Sequence, residues 1–202
     1  MRKFFMQFQK PEGWFGSVAG KLMAAVGTEK HEWTISLLNV EKEDNVLEIG
    51  FGPGIAIQRL TQIVQDGKII GVDYSEKMLK QASKRNKKAI QNGVVELIQA
   101  DVHQLPSFDF SFDKVYSVNS IPFWKEPAEA LKGIRKVMKD GGIIAITVQP
   151  FAKGVTMDTA KETGENVMND MKAAGFADIR LELKQMKPAP AVCVLGVNKK
   201  YG

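Results

Sequence analysis

Three glycines at alternate positions, Gly50, Gly52 and Gly54, follow the apolar run Val46-Leu47-Glu48-Ile49, and a carboxylate, Asp73, closes the next apolar run 19 residues after Gly54. Glycine admits left-handed backbone and lets the main chain approach a ligand where a Cβ would collide. A carboxylate at the end of the second strand of such a unit accepts hydrogen bonds from both hydroxyls of a ribose, and the expected spacing is about 20 residues. The chemistry implied is recognition of a nucleoside. A dinucleotide turn beginning at Gly50 needs its third glycine at position 55, which is Ile55, so the NAD pattern fails. No Lys-Ser or Lys-Thr pair follows the glycines, so the triphosphate-binding loop fails too.

These residues need a scaffold, and the flanking sequence supplies one. Val46 to Gly54 reads as a strand entering a turn, and Ile55 to Val64 carries apolar residues at close to a helical period. Lys68 to Asp73 is a second strand, with Ser75 as the N-cap of a helix from Glu76 to Gln91 that stops at Asn92-Gly93. Further strands are predicted over Val94–Ala100, Lys114–Val118 and Gly142–Val148, with a helix over Pro127–Lys139 and another from about Gly164 to Ala174. Ile179–Leu183 and Ala191–Val197 alternate as strands, and Met186 to Pro190 between them is too short for a helical crossover, so they form an antiparallel hairpin. The expected fold is α/β, a three-layer Rossmann-like sandwich around a seven-stranded, mostly parallel sheet with an antiparallel C-terminal hairpin. Ahead of it, Trp14–Val26 and Thr28–Leu38 read as helices, with Trp14-Phe15 as core or as a flap over a ligand. One domain over 1–202 is expected, residues 1–40 forming a helical cap and 41–202 the cofactor-binding core.

The 202 residues are 44% hydrophobic and 25% charged, which excludes a disordered chain. No run of about 18 apolar residues is present, and Gln7, Gln9 and Lys10 interrupt the amino terminus before a secretory apolar region develops, so a cytoplasmic protein is expected. The net charge of +5 permits nucleic-acid contact without requiring it. Its densest cations, Lys80, Lys84, Arg85, Lys87 and Lys88, fit the solvent face of one helix. Cys193, the single cysteine, lies in an alternating apolar stretch and reads as a buried thiol. No metal-ligand cluster is read from the sequence.

Val46-Leu47-Glu48-Ile49-Gly50-Phe51-Gly52-Pro53-Gly54 resembles the first motif of the class I S-adenosylmethionine-dependent methyltransferases, and Gly71-Val72-Asp73-Tyr74-Ser75-Glu76-Lys77-Met78-Leu79 resembles the second. Ala100-Asp101-Val102, Ser117-Val118-Asn119-Ser120, the Gly141-Gly142 turn and Gly175-Phe176 extend the likeness along nearly the whole chain, nearest to the small-molecule branches that include ubiquinone/menaquinone-type enzymes. The resemblance implies S-adenosylmethionine as cofactor. Gly50, Gly52 and Gly54 would underlie its methionine end, with Glu48 near its amino group. Asp73 would hold the ribose, Tyr74 and Met78 would pack on the adenine, and Asp101 would accept from the adenine amino group beside the Val102 backbone. Asn119 would sit beneath the transferred methyl.

An oxygen or carbon acid acceptor would need a base, for which His103 and Tyr116 are the candidates; His31 reads as structural, and no catalytic residue is assigned. Asn119-Ser120-Ile121-Pro122-Phe123-Trp124 lacks the directly adjacent prolines of nucleic-acid amino-methylases, which disfavours nucleic acid. The aromatic residues favour a small apolar or aromatic acceptor, with any lid drawn from residues 1–30 or from Pro150–Thr163. The alternatives are an RNA-modifying methyltransferase and a catalytically silent cofactor-binding module.

Overall fold

A computed structural model describes residues 29–150 and 154–200. The expected helix over Trp14–Val26, the Trp14-Phe15 cluster and the Thr28 cap lie outside the described residues. Helix α1 occupies residues 29–38 of those described. It is followed by β1 (Val46–Ile49), α2 (Ile55–Leu60), β2 (Ile69–Asp73), α3 (Glu76–Arg85), α4 (Lys87–Gln91), β3 (Val95–Gln99), β4 (Phe112–Val118), α5 (Pro127–Val137), β5 (Met138–Val148), α6 (Met157–Ala173), β6 (Ala177–Lys184) and β7 (Ala191–Val197). The strands form one seven-stranded sheet in the order β3-β2-β1-β4-β5-β7-β6. Strands β1 to β5 pair in parallel, and β7 runs antiparallel to both β5 and β6, as the short Met186–Pro190 connection requires.

Strand alternation sorts the core into two layers. Leu47, Ile49, Ile70, Val72, Val115, Ile144, Ile146, Val192 and Val194 pack on one face with Leu131 and Ile134 of α5 and Val167 and Met171 of α6. Val46, Ile69, Tyr116, Ala145, Cys193 and Leu195 pack on the other with Ile35 and Leu38 of α1, Ile57 and Leu60 of α2, and Ala82 of α3. Both faces are covered, so the central strands are apolar on both sides, as parallel sheets are. Cys193 is buried as expected, and desolvation pushes its thiol up to about 12. The order change at β1, with β2 on one side and β4 on the other, opens a crevice at the carboxyl ends of these strands.

Three local departures from the sequence pattern have physical causes. The expected helix Glu76–Gln91 breaks at Asn86, whose buried side-chain amide donates to Gly54 O and Ala82 O, both at 3.0 Å, and so ties the helix to the glycine turn. Strand β5 begins at Met138 rather than Gly142: Asn198 Nδ2 donates to the carbonyls of Arg135, Met138 and Lys139, which takes this stretch out of the helix. Helix α6 starts at Met157 after the Thr156 cap, seven residues before Gly164. The Thr156–Thr159 capping box begins it, and its buried face is made of Ala160 and Gly164 before Val167 and Met171, too small a pair to register as an apolar period.

Two glycines inside helices give opposite predictions for one substitution. At Gly133 in α5 an added Cβ meets nothing within 4 Å, whereas at Gly164 it would fall 2.5 Å from Leu181 Cδ1 and from Val192 Cγ2. Gly133→Ala is expected to raise unfolding free energy by about 1 kcal/mol through helix propensity. Gly164→Ala gains the same propensity and loses roughly 1–3 kcal/mol to overpacking, ending no more stable than wild type. Urea denaturation of both variants tests the packing of α6 on the sheet.

Candidate functional site

The crevice at the carboxyl ends of β1 to β4 holds a cavity of about 870 Å³. Of the residues expected at a nucleoside site, Gly50, Asp73, Tyr74, Met78, Asp101, Val102 and Asn119 line it. Glu48, Gly52 and Gly54 are not on its wall. The glycine turn is left-handed at all three glycines, with φ of 79° at Gly50, 51° at Gly52 and 75° at Gly54. Glycine had been expected here to admit a ligand, and at two positions the structure shows another reason. An added Cβ would lie 2.5 Å from Ser120 Cβ at Gly50 and 2.7 Å from Ala82 Cβ at Gly54. The chain's own β4 loop and α3 occupy that space, and only Gly52 faces nothing within 4 Å.

Asp73 closes β2 and holds the turn. Its Oδ2 accepts from the Gly52 N–H at 2.8 Å and its Oδ1 from the Ser75 N–H at 2.9 Å, while Ser75 caps α3 through the Met78 N–H. One carboxylate thereby joins the glycine turn to the start of α3. A carboxylate has about four lone-pair sites, so two remain for hydroxyls of a ligand. Beside it, Tyr74 is 77% exposed and Met78 lies one turn into α3, so both offer surface to a flat apolar ring.

Asp101 follows β3 and caps the 3-10 turn Val102–Gln104. Its Oδ1 accepts from the His103 N–H at 2.9 Å and meets His103 Nδ1 at 2.8 Å. These backbone and side-chain bonds hold the Asp101 carboxyl below its usual range. A carboxylate can only accept, so Nδ1 carries a proton. His103, a candidate base by sequence, lines the cavity, and its bond to Asp101 occupies Nδ1 alone. Tyr116, the other candidate, is fully buried in the second core layer and does not reach the cavity. Burial pushes its hydroxyl well above the normal tyrosine range. His31 lies on α1 with its Nδ1 buried, and desolvation followed by the charge of Lys30 lowers it to about 4.

At the end of β4, Asn119 adopts a left-handed backbone, φ 59°. Its N–H donates to Thr147 O at 2.9 Å and its Oδ1 accepts from the Gln149 N–H at 2.7 Å. Gln149 is a residue that reading the sequence missed. It is buried, its Nε2 donates to Ala189 O at 2.7 Å and Lys187 O at 3.2 Å, and Lys30 Nζ lies 3.4 Å from its Oε1. It thereby links α1, the β6–β7 connection and Asn119. The signal was present: a polar residue ends the apolar run of β5 just as Asp73 ends β2. Thr34 and Thr147, hydrogen bonded at 2.6 Å, make a second buried polar link between α1 and β5.

Comparison with known proteins places this geometry. A family model described as "Methyltransferase domain" matches residues 47–146. The chain is 38% identical over 176 residues to the uncharacterized methyltransferase YdaC of Bacillus subtilis, covering 87% of this chain and 95% of that one. It is 33% identical over 127 residues to demethylmenaquinone methyltransferase of Listeria welshimeri, over 60% of this chain and 52% of the relative. Among solved structures, the N-methyltransferase NodS of Bradyrhizobium japonicum in complex with S-adenosylhomocysteine superposes with a TM-score of 0.68 at 17% identity, over 87% of this chain and 88% of that one.

Glu48 sits in β1 behind the cavity wall, opposite Gly71 and Tyr116. It is fully buried and neither carboxylate oxygen has a hydrogen-bond partner; the buried Tyr116 hydroxyl beside it likewise lacks one of good geometry. Desolvation raises Glu48 to about 8, Tyr116 pulls it partly back and the nearby charge of Asp73 adds to the rise. An unfolded glutamate titrates near 4.5. Between these values the native state holds a proton that the unfolded chain has released, so stability falls as pH rises from 4.5 to about 8, with a slope of up to roughly 1.4 kcal/mol per pH unit. His31 acts in the opposite sense below 6.5, since the unfolded state there binds the extra proton. Glu48→Gln is therefore expected to raise stability over wild type at pH 8 and to converge with it toward pH 5. Denaturant titrations of both proteins at pH 5, 6.5 and 8 read that difference; a pH-independent gap would contradict it.

Proposed function

The chain belongs to the class I S-adenosylmethionine-dependent methyltransferases, and from that premise we propose that it transfers a methyl group to a small acceptor with apolar or aromatic surface. S-adenosylmethionine is its cofactor, and the residues present fit it. Asp73 keeps acceptor capacity for the ribose hydroxyls, Asp101 keeps Oδ2 for the adenine amino group, and Tyr74 and Met78 flank the space between them. Glu48, a buried carboxylate with no partner and close to Asp73, is the group that a ligand ammonium would satisfy. In this reading Gly50, Gly52 and Gly54 run beneath the methionine end, the Val102 backbone lies beside the adenine, and Asn119 lies beneath the methyl. The observation that carries the reading is Asp73, held by two backbone N–H groups at the edge of the cavity.

When bound, the cofactor supplies an activated methyl on a sulfonium. The protein's part is to hold the acceptor in line and close, and to keep water from the path. Ile49, Val72 and Val118 form an apolar floor, and Phe123, 66% exposed, and Trp124 stand at the side of the cavity. That lining supports an apolar or aromatic acceptor, as does the relative named as acting on demethylmenaquinone. The buried Tyr116 is ruled out as a base by its position, and no catalytic residue is assigned. The proposal extends to a single cytoplasmic domain.

Two experiments test this. Incubation with methyl-labelled S-adenosylmethionine and separate panels of hydroxyarenes, small amines and total RNA is expected to label at least one small-molecule panel and leave RNA unlabelled; labelled RNA alone would contradict the proposal. Asp73→Asn keeps one acceptor oxygen but sets an N–H against a backbone N–H. It is expected to weaken S-adenosylhomocysteine binding by about 2 kcal/mol, roughly 30-fold. Unchanged affinity in a folded variant would remove Asp73 from the site.

A further inference from the structure

The side chain of Asn119 has one orientation. A backbone N–H can only donate, so the Asn119 atom facing Gln149 N at 2.7 Å is the oxygen, and Nδ2 is the opposite limb of the amide. Asn119 is half-buried and lines the cavity. Its two Nδ2 hydrogens meet no acceptor among the described residues, and Nδ2 is not among the buried polar atoms left without a partner. The amide therefore offers hydrogen-bond donors to the cavity and keeps its acceptor turned to β5. The left-handed backbone at Asn119 and its N–H bond to Thr147 O lock this presentation in place.

The neighbouring hydroxyls do not compensate. Ser120 Oγ donates to Ile49 O at 3.1 Å, so the hydrogen shared with Ser117 Oγ comes from Ser117, and both hydroxyl hydrogens point into the protein. The charged residues lining the cavity are Asp73, Asp101, Lys77 and Lys125. Each carboxylate already accepts two N–H groups, and both lie at the ends of β2 and β3, away from Asn119 on β4. At the end of β4, an acceptor thus meets amide N–H groups and an apolar floor of Ile49 and Val118.

From this polarity we propose that Asn119 determines acceptor specificity: it receives an oxygen lone pair, that of a phenol or enol, and disfavours an amine, whose N–H groups would face N–H donors. The inference rests on the methyltransferase reading and on Asn119 lying beneath the methyl. An aromatic hydroxyl group satisfies both the donors and the apolar floor. An arylamine of the same shape satisfies only the floor, because its nitrogen lone pair is delocalised into the ring and its hydrogens oppose those of the amide. A buried donor left unpaired costs the full desolvation of that group, so the discrimination comes from the mismatch more than from the hydrogen bond gained.

The test uses the whole chain saturated with S-adenosylhomocysteine, with 2-naphthol and 2-aminonaphthalene as matched probes. Calorimetry first establishes that S-adenosylhomocysteine binds. The naphthol is then expected to bind about tenfold more tightly than the amine and to shift the Asn119 side-chain amide resonances downfield in nitrogen-labelled protein. In Asn119→Asp, one carboxylate oxygen keeps the Gln149 N–H and the other puts an acceptor where Nδ2 stood, so the preference is expected to fall to parity or reverse. Equal or tighter binding of the amine by wild type, no naphthol binding, unmoved Asn119 amide resonances, or an unchanged ratio in Asn119→Asp would overturn the inference. If S-adenosylhomocysteine itself fails to bind, the cofactor reading falls, and the inference falls with it for that separate reason.

Discussion

The whole site depends on a carboxylate held by backbone donors: Asp73 spans the N–H of Gly52 and the N–H of Ser75. That bridge sets the glycine turn against the first turn of α3, and it exists only because parallel pairing of β1 with β2 brings Ile49 level with Val72, each three residues before its donor. The turn in turn needs left-handed backbone, and its close packing on Ser120 and Ala82 leaves no room for side chains at Gly50 and Gly54. Asn86 adds a tie of its own from α3 to Gly54 O. The sheet, the turn and the helix are thus fastened around one acid before any ligand arrives, the preorganisation that the proposed nucleoside site would need.

Around this fastened turn the chain carries groups that do not help it fold. Glu48 is buried with no hydrogen-bond partner, and Tyr116 beside it leaves its hydroxyl unpaired. Burial of an unpaired polar group costs on the order of 1–3 kcal/mol. In the proposed function, a ligand ammonium reaching Glu48 would offset that cost. On the other side of the cavity, the Gln149 hub holds Asn119 in a strained backbone, again spending local order on the orientation of one side chain.

Much of this was legible in the sequence. The strands declared themselves by apolar runs, and Gly50, Gly52, Gly54 and Asp73 by residue type and spacing, because strand ends and tight turns accept few alternatives; a role for Asp101 came only with the family resemblance. The short Met186–Pro190 segment was enough to predict the antiparallel end of the sheet. The parts that escaped were those in which tertiary contacts overrode local pattern. Asn86 breaks a helix because Gly54 O is in reach, Asn198 draws β5 back to Met138, and α6 hides its first turns behind Ala160 and Gly164. Local sequence holds no record of the partner in any of these. Tyr116 illustrates the same limit in the site, since its residue type allows base chemistry and only its surroundings, the buried core, decide against it. Gln149 was overlooked because glutamine at a strand end carries no distinctive chemistry until its neighbours are known.

The most direct test of the account is isothermal titration of the protein with S-adenosylmethionine, S-adenosylhomocysteine and NADH. A turn fastened by Asp73 and lacking the third dinucleotide glycine should bind both adenosyl compounds and not NADH. Binding of NADH in preference to either, or of none of the three, would contradict the assignment of the glycine turn and Asp73 as an adenosyl-cofactor cradle.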